Sequence, residues 1–377
     1  MKTYKIGLIG FGFIGKVHAN AYHSIPYCYN NPEIQAAVKA VLRPHPAQDQ
    51  ALLQALDIPL CTSDEEIFWA QDLDCIDICS PNFFHYEQAI KAVERNLPIY
   101  CEKPLTRDIE DARRLAKITE ERNLITHTAF TYRYIHASRI AKEILDARIL
   151  GEIHHFRSQF FHSSYLDPNR PISWRLQQSV AGGGALTDLG IHFLDLIRFL
   201  LGDVSWLQCQ TRTFIDSRPS EQGESKRAEV DVDDWALCTL GMQEGGIGSL
   251  EVSRVSGGAG NVAFLEIYGS RGSLKIDLAN GDRVHFFDAA KNQWISGINL
   301  TEKYSGKYYD PALWPASKQS LGRFMDAHIT TIVDFLNIMD GKKKPTADFK
   351  EALAAQELLH ASYYSAKQGG ERVTIYA

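Results

Sequence analysis

Short, continuously apolar runs alternate with amphipathic ones through the first third of the chain. Lys5–Ile9, Ile34–Leu42, Cys75–Cys79, Ile99–Cys101 and Leu124–Thr128 read as buried strands. Between them, Ile14–His23, Ala47–Leu56, Phe83–Arg95 and Ile109–Glu121 carry the three-to-four-residue spacing of helices. Strands that are apolar on both faces and separated by helices predict a parallel sheet covered on both sides.

The pattern then changes. Ile135–Leu145 reads as a helix, Gly151–Phe161 as a strand, and the stretch Asp167–Arg175 as an ordered loop over a site or a subunit contact. Ala185–Leu200 is strongly helical. Strand candidates follow at Trp206–Phe214, Trp235–Leu240, Gly246–Val252, Phe264–Tyr268 and Ser273–Asp277, divided by glycine-rich turns. They predict an open, mostly antiparallel sheet with helices on one side. The polar stretch Asp216–Glu229 reads as an exposed excursion, and the aromatic, aperiodic stretch Asn292–Ser320 as a cover for the active site or a partner. Helices at Ala327–Met339 and Phe349–Lys367 close the chain. The expected organisation is an α/β domain over residues 1–130 and an open-sheet α+β domain over 131–345. A terminal helix occupies 346–377.

Composition narrows the classes. With 377 residues, 45% hydrophobic and 23% charged, the chain has room for two ordinary globular cores. A net charge of -6 argues against a nucleic-acid partner. Seven cysteines without a CxxC pair read as reduced, structural thiols, and no metal cluster is expected. Met1–Lys5 runs straight into the first strand and no stretch is long enough to span a bilayer, so a cytoplasmic location without membrane contact is expected.

The candidate chemistry begins at Gly10-Phe11-Gly12-Phe13-Ile14-Gly15, between a strand and a helix. There Gly10 permits the tight turn, Gly12 lets backbone approach a pyrophosphate, and Gly15 permits close helix–strand packing. The loop therefore predicts NAD or NADP. An NAD-preferring fold places an acid after its second strand, but the sequence there is Ala40-Val41-Leu42-Arg43-Pro44-His45. Arg43 suits a 2′-phosphate or ribose stacking equally, which leaves the preference open.

Ser80-Pro81-Asn82, with His85 beyond, follows one strand; Glu102-Lys103-Pro104 follows the next, at the end of a parallel sheet where ligands bind. Asn82 and His85 are candidates for the cofactor side. Lys103 can donate to a reacting oxygen. In Gly182-Gly183-Gly184-Ala185-Leu186-Thr187-Asp188-Leu189-Gly190-Ile191-His192, Asp188 and His192 stand four apart on one helix face. An imidazole there can take a hydroxyl proton, with the carboxylate to orient it or to bind a neighbouring hydroxyl. Arg133, Trp174 and Arg175 are further candidates for sugar contact.

Taken in order, Gly10-x-Gly12-x-x-Gly15, Ser80-Pro81-Asn82 with His85, Glu102-Lys103-Pro104, and Gly183-Gly184 through Asp188 to His192 resemble the Gfo/Idh/MocA oxidoreductases, the family of glucose–fructose oxidoreductase and the inositol dehydrogenases. The resemblance implies Lys103, Asp188 and His192 as a catalytic trio, Glu102 and Pro104 shaping the cofactor pocket, and a cis bond before Pro104. It also implies that residues 1–130 are a Rossmann dinucleotide-binding domain and 131–345 a substrate and oligomerisation domain, with a last helix returning toward the first domain and a homodimer or homotetramer. The expected activity is hydride transfer between nicotinamide and a hydroxyl-bearing carbon of a sugar or cyclic polyol, inositol-like. Two alternatives stand beside it: a glycosidase-like enzyme that retains its NAD, and a non-catalytic nucleotide- or sugar-sensing protein.

Overall fold

The computed structural model describes residues 2–29, 33–221, 226–279, 284–296 and 310–375. They divide into two compact units, Met1–Thr131 with Pro311–Leu353, and Tyr132–Asp310 with Ala354–Ala377.

The first unit is built on a six-stranded sheet. Its strands are β1 (Lys2–Ile9), β2 (Ile34–Leu42), β3 (Leu60–Thr62), β4 (Cys75–Ile78), β5 (Ile99–Cys101) and β6 (Thr126–Thr128), in the order β3-β2-β1-β4-β5-β6. All pairs are parallel. The order reverses between β1 and β4, which opens a crevice at their carboxyl ends. Ile6 and Leu8 of β1 are fully buried against Tyr22 and Ile25 of the first helix, Phe13–Cys28. That helix runs past the expected end at His23 and through Pro26, whose position in the last turn limits the loss of backbone bonding. β3 and the helix Glu65–Trp69 escaped the periodicity because each is too short to show one. A readable signal was present, since Asp64 caps that helix by accepting from the Glu66 and Ile67 N–H groups.

Much of the remaining cover comes from far along the chain. The helix Arg323–Met339 supplies Ile329, Ile332, Phe335 and Leu336, one apolar stripe, to the core of the first unit. Residues 311–353 therefore group with the first unit, whereas the sequence division ended the second domain at 345. The helix Phe349–Lys367 begins in the first unit, where the Phe349 N–H donates to Thr126 Oγ1, 3.1 Å. From Ala354 onward it belongs to the second. Periodicity reports that a helix has an apolar face, not which sheet that face covers.

The second unit carries β7 (Ile153–His162), β8 (Val204–Arg212), β9 (Ser217–Pro219), β10 (Arg227–Glu229), β11 (Trp235–Met242), β12 (Ile247–Ser253), β13 (Asn261–Gly269), β14 (Gly272–Asp277), β15 (Val284–Asp288), β16 (Gln293–Ser296) and β17 (Val373–Thr374). Nine of them form one open sheet, β16-β15-β14-β13-β7-β12-β11-β8-β17, antiparallel except for β7 beside β12. The excursion expected over Asp216–Glu229 is a small hairpin of β9 and β10. It is anchored rather than loose. Arg218 is fully buried and donates to the carbonyls of Tyr165 (2.5 Å) and Asp167 (2.7 Å). Of the cover expected over Asn292–Ser320, residues 297–309 lie outside the described residues; Leu313 and Gln319 bond to Tyr29 and Tyr27 at the end of the first helix. Among the described residues no helix is long and apolar enough to cross a membrane.

Candidate active site

The glycine loop lies at the carboxyl end of β1. Gly10 has φ +93°, and a Cβ there would meet the Cys79 carbonyl carbon at 2.7 Å. At Gly15 it would meet the Gly10 oxygen at 2.1 Å, so the turn closes only without side chains at both positions. At Gly12 it would meet nothing within 4 Å: that face of the loop is open. The helix that follows has no side-chain cap and no acid in its first turn. Its positive end and unpaired N–H groups are available to a diphosphate, so a dinucleotide fits this loop. Phe13 is 72% exposed beside it, and Ile14 is half-buried.

At the end of β2, Arg43 is committed to an acid that sequence proximity to the strand did not single out. Its Nη1 donates to Asp49 Oδ2 at 2.8 Å, and Lys16 from the first helix reaches Asp49 Oδ1 at 2.8 Å. These bonds hold the Asp49 carboxyl below its ordinary pKa. Asp49 sits at φ +61°, in the left-handed region. It also delays the next helix, which starts at Gln50 rather than Ala47.

After β4, Ser80 Oγ donates to Gln88 at 2.6 Å, and Pro81 leads into one turn in which Asn82 is buried. His85 lies in a different place from the expected one. It is fully buried, with Nδ1 2.9 Å from the Pro104 carbonyl and Nε2 2.9 Å from the Ser80 carbonyl. It ties the loops after β4 and β5 together rather than lining the cofactor side. Burial lowers its pKa.

After β5, the Lys103–Pro104 bond is cis and Lys103 is half-buried. Glu102 beside it is buried, with Oε2 accepting from the Lys103 N–H at 3.1 Å and Oε1 3.3 Å from His18 Nε2. His18 is fully buried, and its other nitrogen lies 3.0 Å from Asp77 Oδ2. Neither His18 nor Asp77 was singled out by sequence. A single histidine on a helix and a single acid within an apolar strand carry no spacing that links them.

In the second unit, Gly183 to Ile197 is buried at every position except two, Asp188 and His192. The segment is not one regular helix. Leu186–Gly190 is a π-helical turn, closed by the Ile191 N–H on the Leu186 carbonyl, and the α-helix Ile191–Leu201 follows. Such turns recur at functional sites. Asp233 fastens its start, accepting from the N–H groups of Gly184 and Leu186 at 2.8 Å each and from the Tyr363 hydroxyl at 2.7 Å. A Cβ on Gly184 would lie 1.9 Å from the Asp233 oxygen, which accounts for glycine there. The His192 ring packs 5.0 Å from Tyr132. His162, at the end of β7, feels the Asp188 charge; burial nevertheless leaves its pKa below the ordinary value.

Arg133 is not placed for a sugar. It is 2% exposed and bidentate on Asp195, 2.7 and 2.5 Å, with Phe199 stacked 5.1 Å away. Its guanidinium is used in holding two helical segments together. Trp174 and Arg175 are half-buried in a short turn, the guanidinium 4.3 Å over the indole. A groove of 720 Å³ in this unit, lined by Lys142, Arg148 and Arg271 among others, contains none of the expected site residues.

Comparison with known proteins decides the family. A family model described as an oxidoreductase family with an NAD-binding Rossmann fold matches residues 4–130, and a GFO/IDH/MocA C-terminal domain matches 138–275. Levoglucosan dehydrogenase from Pseudarthrobacter phenanthrenivorans is 30% identical over 87% of this chain and 88% of its own. The chain belongs to the Gfo/Idh/MocA oxidoreductases. D-glucoside 3-dehydrogenase from Escherichia coli is a second relative, 24% identical over 97% of this chain and 96% of its own. Among solved structures, a levoglucosan dehydrogenase in complex with NADH and L-sorbose superposes with a TM-score of 0.89 at 28% identity, covering 100% of both chains. This Gfo/Idh/MocA chain is thus an NAD-binding oxidoreductase with a Rossmann sheet followed by a mixed-sheet domain.

Proposed function

We propose that the chain is a dehydrogenase of sugars, oxidising one ring hydroxyl, with Lys103, Asp188 and His192 as its working side chains. The observation that carries this reading is the selective opening of Asp188 and His192 in an otherwise buried segment. A proton carrier and a carboxylate left only half-buried there cost packing that a purely structural helix would retain. The relatives that act on levoglucosan and glucosides support the sugar class.

In this reading His192 takes the hydroxyl proton on an imidazole nitrogen. Asp188 orients the imidazole or accepts from the adjacent hydroxyl. Lys103 donates to the reacting oxygen and favours its partly ionised form. Bound NAD supplies the acceptor for the hydride that leaves the same carbon. Gly10, Gly12, Phe13, Ile14, Gly15, Ser80, Pro81, Asn82 and Glu102 shape its place, and Trp174 with Arg175 offers a stacking and charged contact to the sugar. The preference is for NAD over NADP. What supports this is Asp49, an acid fixed by Arg43 and Lys16 at the end of β2, the region from which an acid meets the adenosine ribose of NAD.

The test is a panel of anhydrosugars, glucosides, aldoses and inositols with NAD and NADP, read by nicotinamide absorbance. His192→Ala and Lys103→Met should each lower kcat by roughly a hundredfold or more while leaving NADH affinity near normal. Near-normal turnover in either variant removes that residue from the reaction. Product without net NADH would point instead to the retained-cofactor chemistry. Asp49→Ser should shift the NADP/NAD ratio of kcat/KM upward; an unchanged ratio would refute the role given to Asp49.

A further inference from the structure

We propose that Asp77, His18 and Glu102 form a buried ionised relay that positions Lys103, with His18 as its positioning residue. The proposal rests on Lys103 acting at the reacting oxygen, as above. Three separate elements bring the relay together: His18 from the first helix, Asp77 from β4, and Glu102 at the end of β5. None of the three is exposed to more than a few per cent, with His18 and Asp77 at 0%.

The geometry favours a charged imidazole. His18 Nδ1 lies 3.0 Å from Asp77 Oδ2, and Nε2 faces Glu102 Oε1 at an ion-pair distance of 3.3 Å without hydrogen-bond alignment. A neutral imidazole has one N–H and can satisfy one carboxylate only; two carboxylates facing both nitrogens call for the cation. Two buried carboxylates without it would leave uncompensated charge in the interior. Cys79 adds a thiol donor to Asp77 Oδ1 at 3.2 Å. The Cys79 Sγ also lies 3.0 Å from His18 Nδ1, the Tyr22 hydroxyl feels the Asp77 charge, and the edge of Tyr100 and the ring of His328 each stand with the centroid 5.4 Å from that of His18. Burial opposes a charge on His18, but Asp77 and then Glu102 override it and hold the imidazole protonated up to about 10. For Glu102, burial works against ionisation and His18 outweighs it, holding the carboxyl down to about 2. His328 stays neutral, pushed down to about 3 by burial and by the His18 cation.

The relay ends on the lysine. Glu102 gives Oε1 to His18 and Oε2 to the Lys103 backbone N–H, 3.1 Å, so one ionised carboxylate locks the turn that carries the lysine. The Lys103 ammonium also lowers the Glu102 pKa. No proton has to move along this chain of groups. Its work is to keep Glu102 ionised and the turn fixed.

The test combines a direct and a kinetic reading. In the full chain carrying 15N-labelled histidine, both His18 nitrogens should read as protonated from about pH 6 to about pH 9; a neutral His18 at neutral pH overturns the relay. His18→Gln should lower kcat roughly tenfold or more with NADH affinity within about threefold, and move the acid limb of kcat upward by about one unit. That limb moves because Glu102 then has to ionise without its cation. Asp77→Asn should shift it less, in the same direction, and serves if the glutamine variant does not fold. An unchanged kcat and pH profile in a folded variant overturns the proposal, whereas a loss of thermal stability alone assigns His18 to packing and overturns it too. The potential ligand atoms of His18, Glu102 and His328 lie within 4.8 Å of one another, so zinc and a chelator are added to the melt. Stabilisation by zinc that His18→Gln removes would replace the relay by a metal site. Lys103→Met keeps the two readings separable: if it retains turnover the role of the lysine fails, while the histidine spectrum still reports whether the relay is ionised.

Discussion

The two units bury charge near their expected working residues, and they do so with different chemistry. In the second unit, Arg133 and Asp195 form a bidentate pair at 2% and 0% exposure. A guanidinium does not lose its proton in a protein, so the cation of this pair is the same at any working pH. In the first unit the buried cation is an imidazole between two carboxylates, with a neutral histidine beside it. That arrangement is a state as well as a structure. The difference teaches that a buried ion pair can serve as a fixed joint or as a proton-linked one, depending only on which cation the chain supplies.

The comparison can be broken first at the fixed joint. Arg133→Met takes the guanidinium away from the buried Asp195 carboxylate, and should cost about 3–5 kcal/mol in urea unfolding, by the same amount at mildly acid and mildly alkaline pH. A loss that vanished on acidification would show that Asp195 escapes by taking a proton. Asp233→Ala comes next, because it strips the Leu186 N–H of its acceptor and leaves the Gly184 N–H only the Tyr363 hydroxyl, 3.1 Å. It should cost about 2–3 kcal/mol and lower kcat more than it raises KM, since Asp188 and His192 hang from that turn. Removing only the hydroxyl, as in Tyr363→Phe, should cost about 1 kcal/mol.

The proton-linked joint is sharpened by pH. His328 is neutral when folded down to about 3. Its unfolded form takes a proton near 6.5, so its contribution is present above that value and is lost as pH falls. His18 has the opposite sign: its folded value is raised to about 10, so its contribution is full below about 6.5 and is lost as pH rises toward 10. His328→Phe should therefore flatten the acid side of the urea midpoint, and His18→Gln the alkaline side. Identical profiles for the two variants would contradict the opposed signs. The smallest effect on stability belongs to Gly12→Ala, under about 0.5 kcal/mol because the added methyl meets no atom, with NADH affinity falling instead.

How far the sequence could be read depends on how local each cause is. The glycine loop was legible because its requirements lie within six consecutive residues: Gly10 needs positive φ, and the Gly10 carbonyl fills the place of a Cβ on Gly15. Asp188 and His192 were legible as a helix-spaced pair, though the π-helical turn that carries Asp188 was not. The causes of that turn include Asp233 and Tyr363, far along the chain. His85 and Arg133 were candidates by residue type alone; their burial against Ser80, Pro104 and Asp195 assigns them to the scaffold.

By itself the sequence determined most of the succession of strands and helices, the dinucleotide loop and the candidates for reactive side chains, because periodicity, backbone conformation and functional-group chemistry act over a few residues. Only tertiary structure decided that the helix Arg323–Met339 completes the first core, that Asp49 answers Arg43, and that His18 stands between Asp77 and Glu102. Those outcomes depend on which apolar faces meet and on which charges are carried out of water together. Neither quantity exists until the chain has closed on itself.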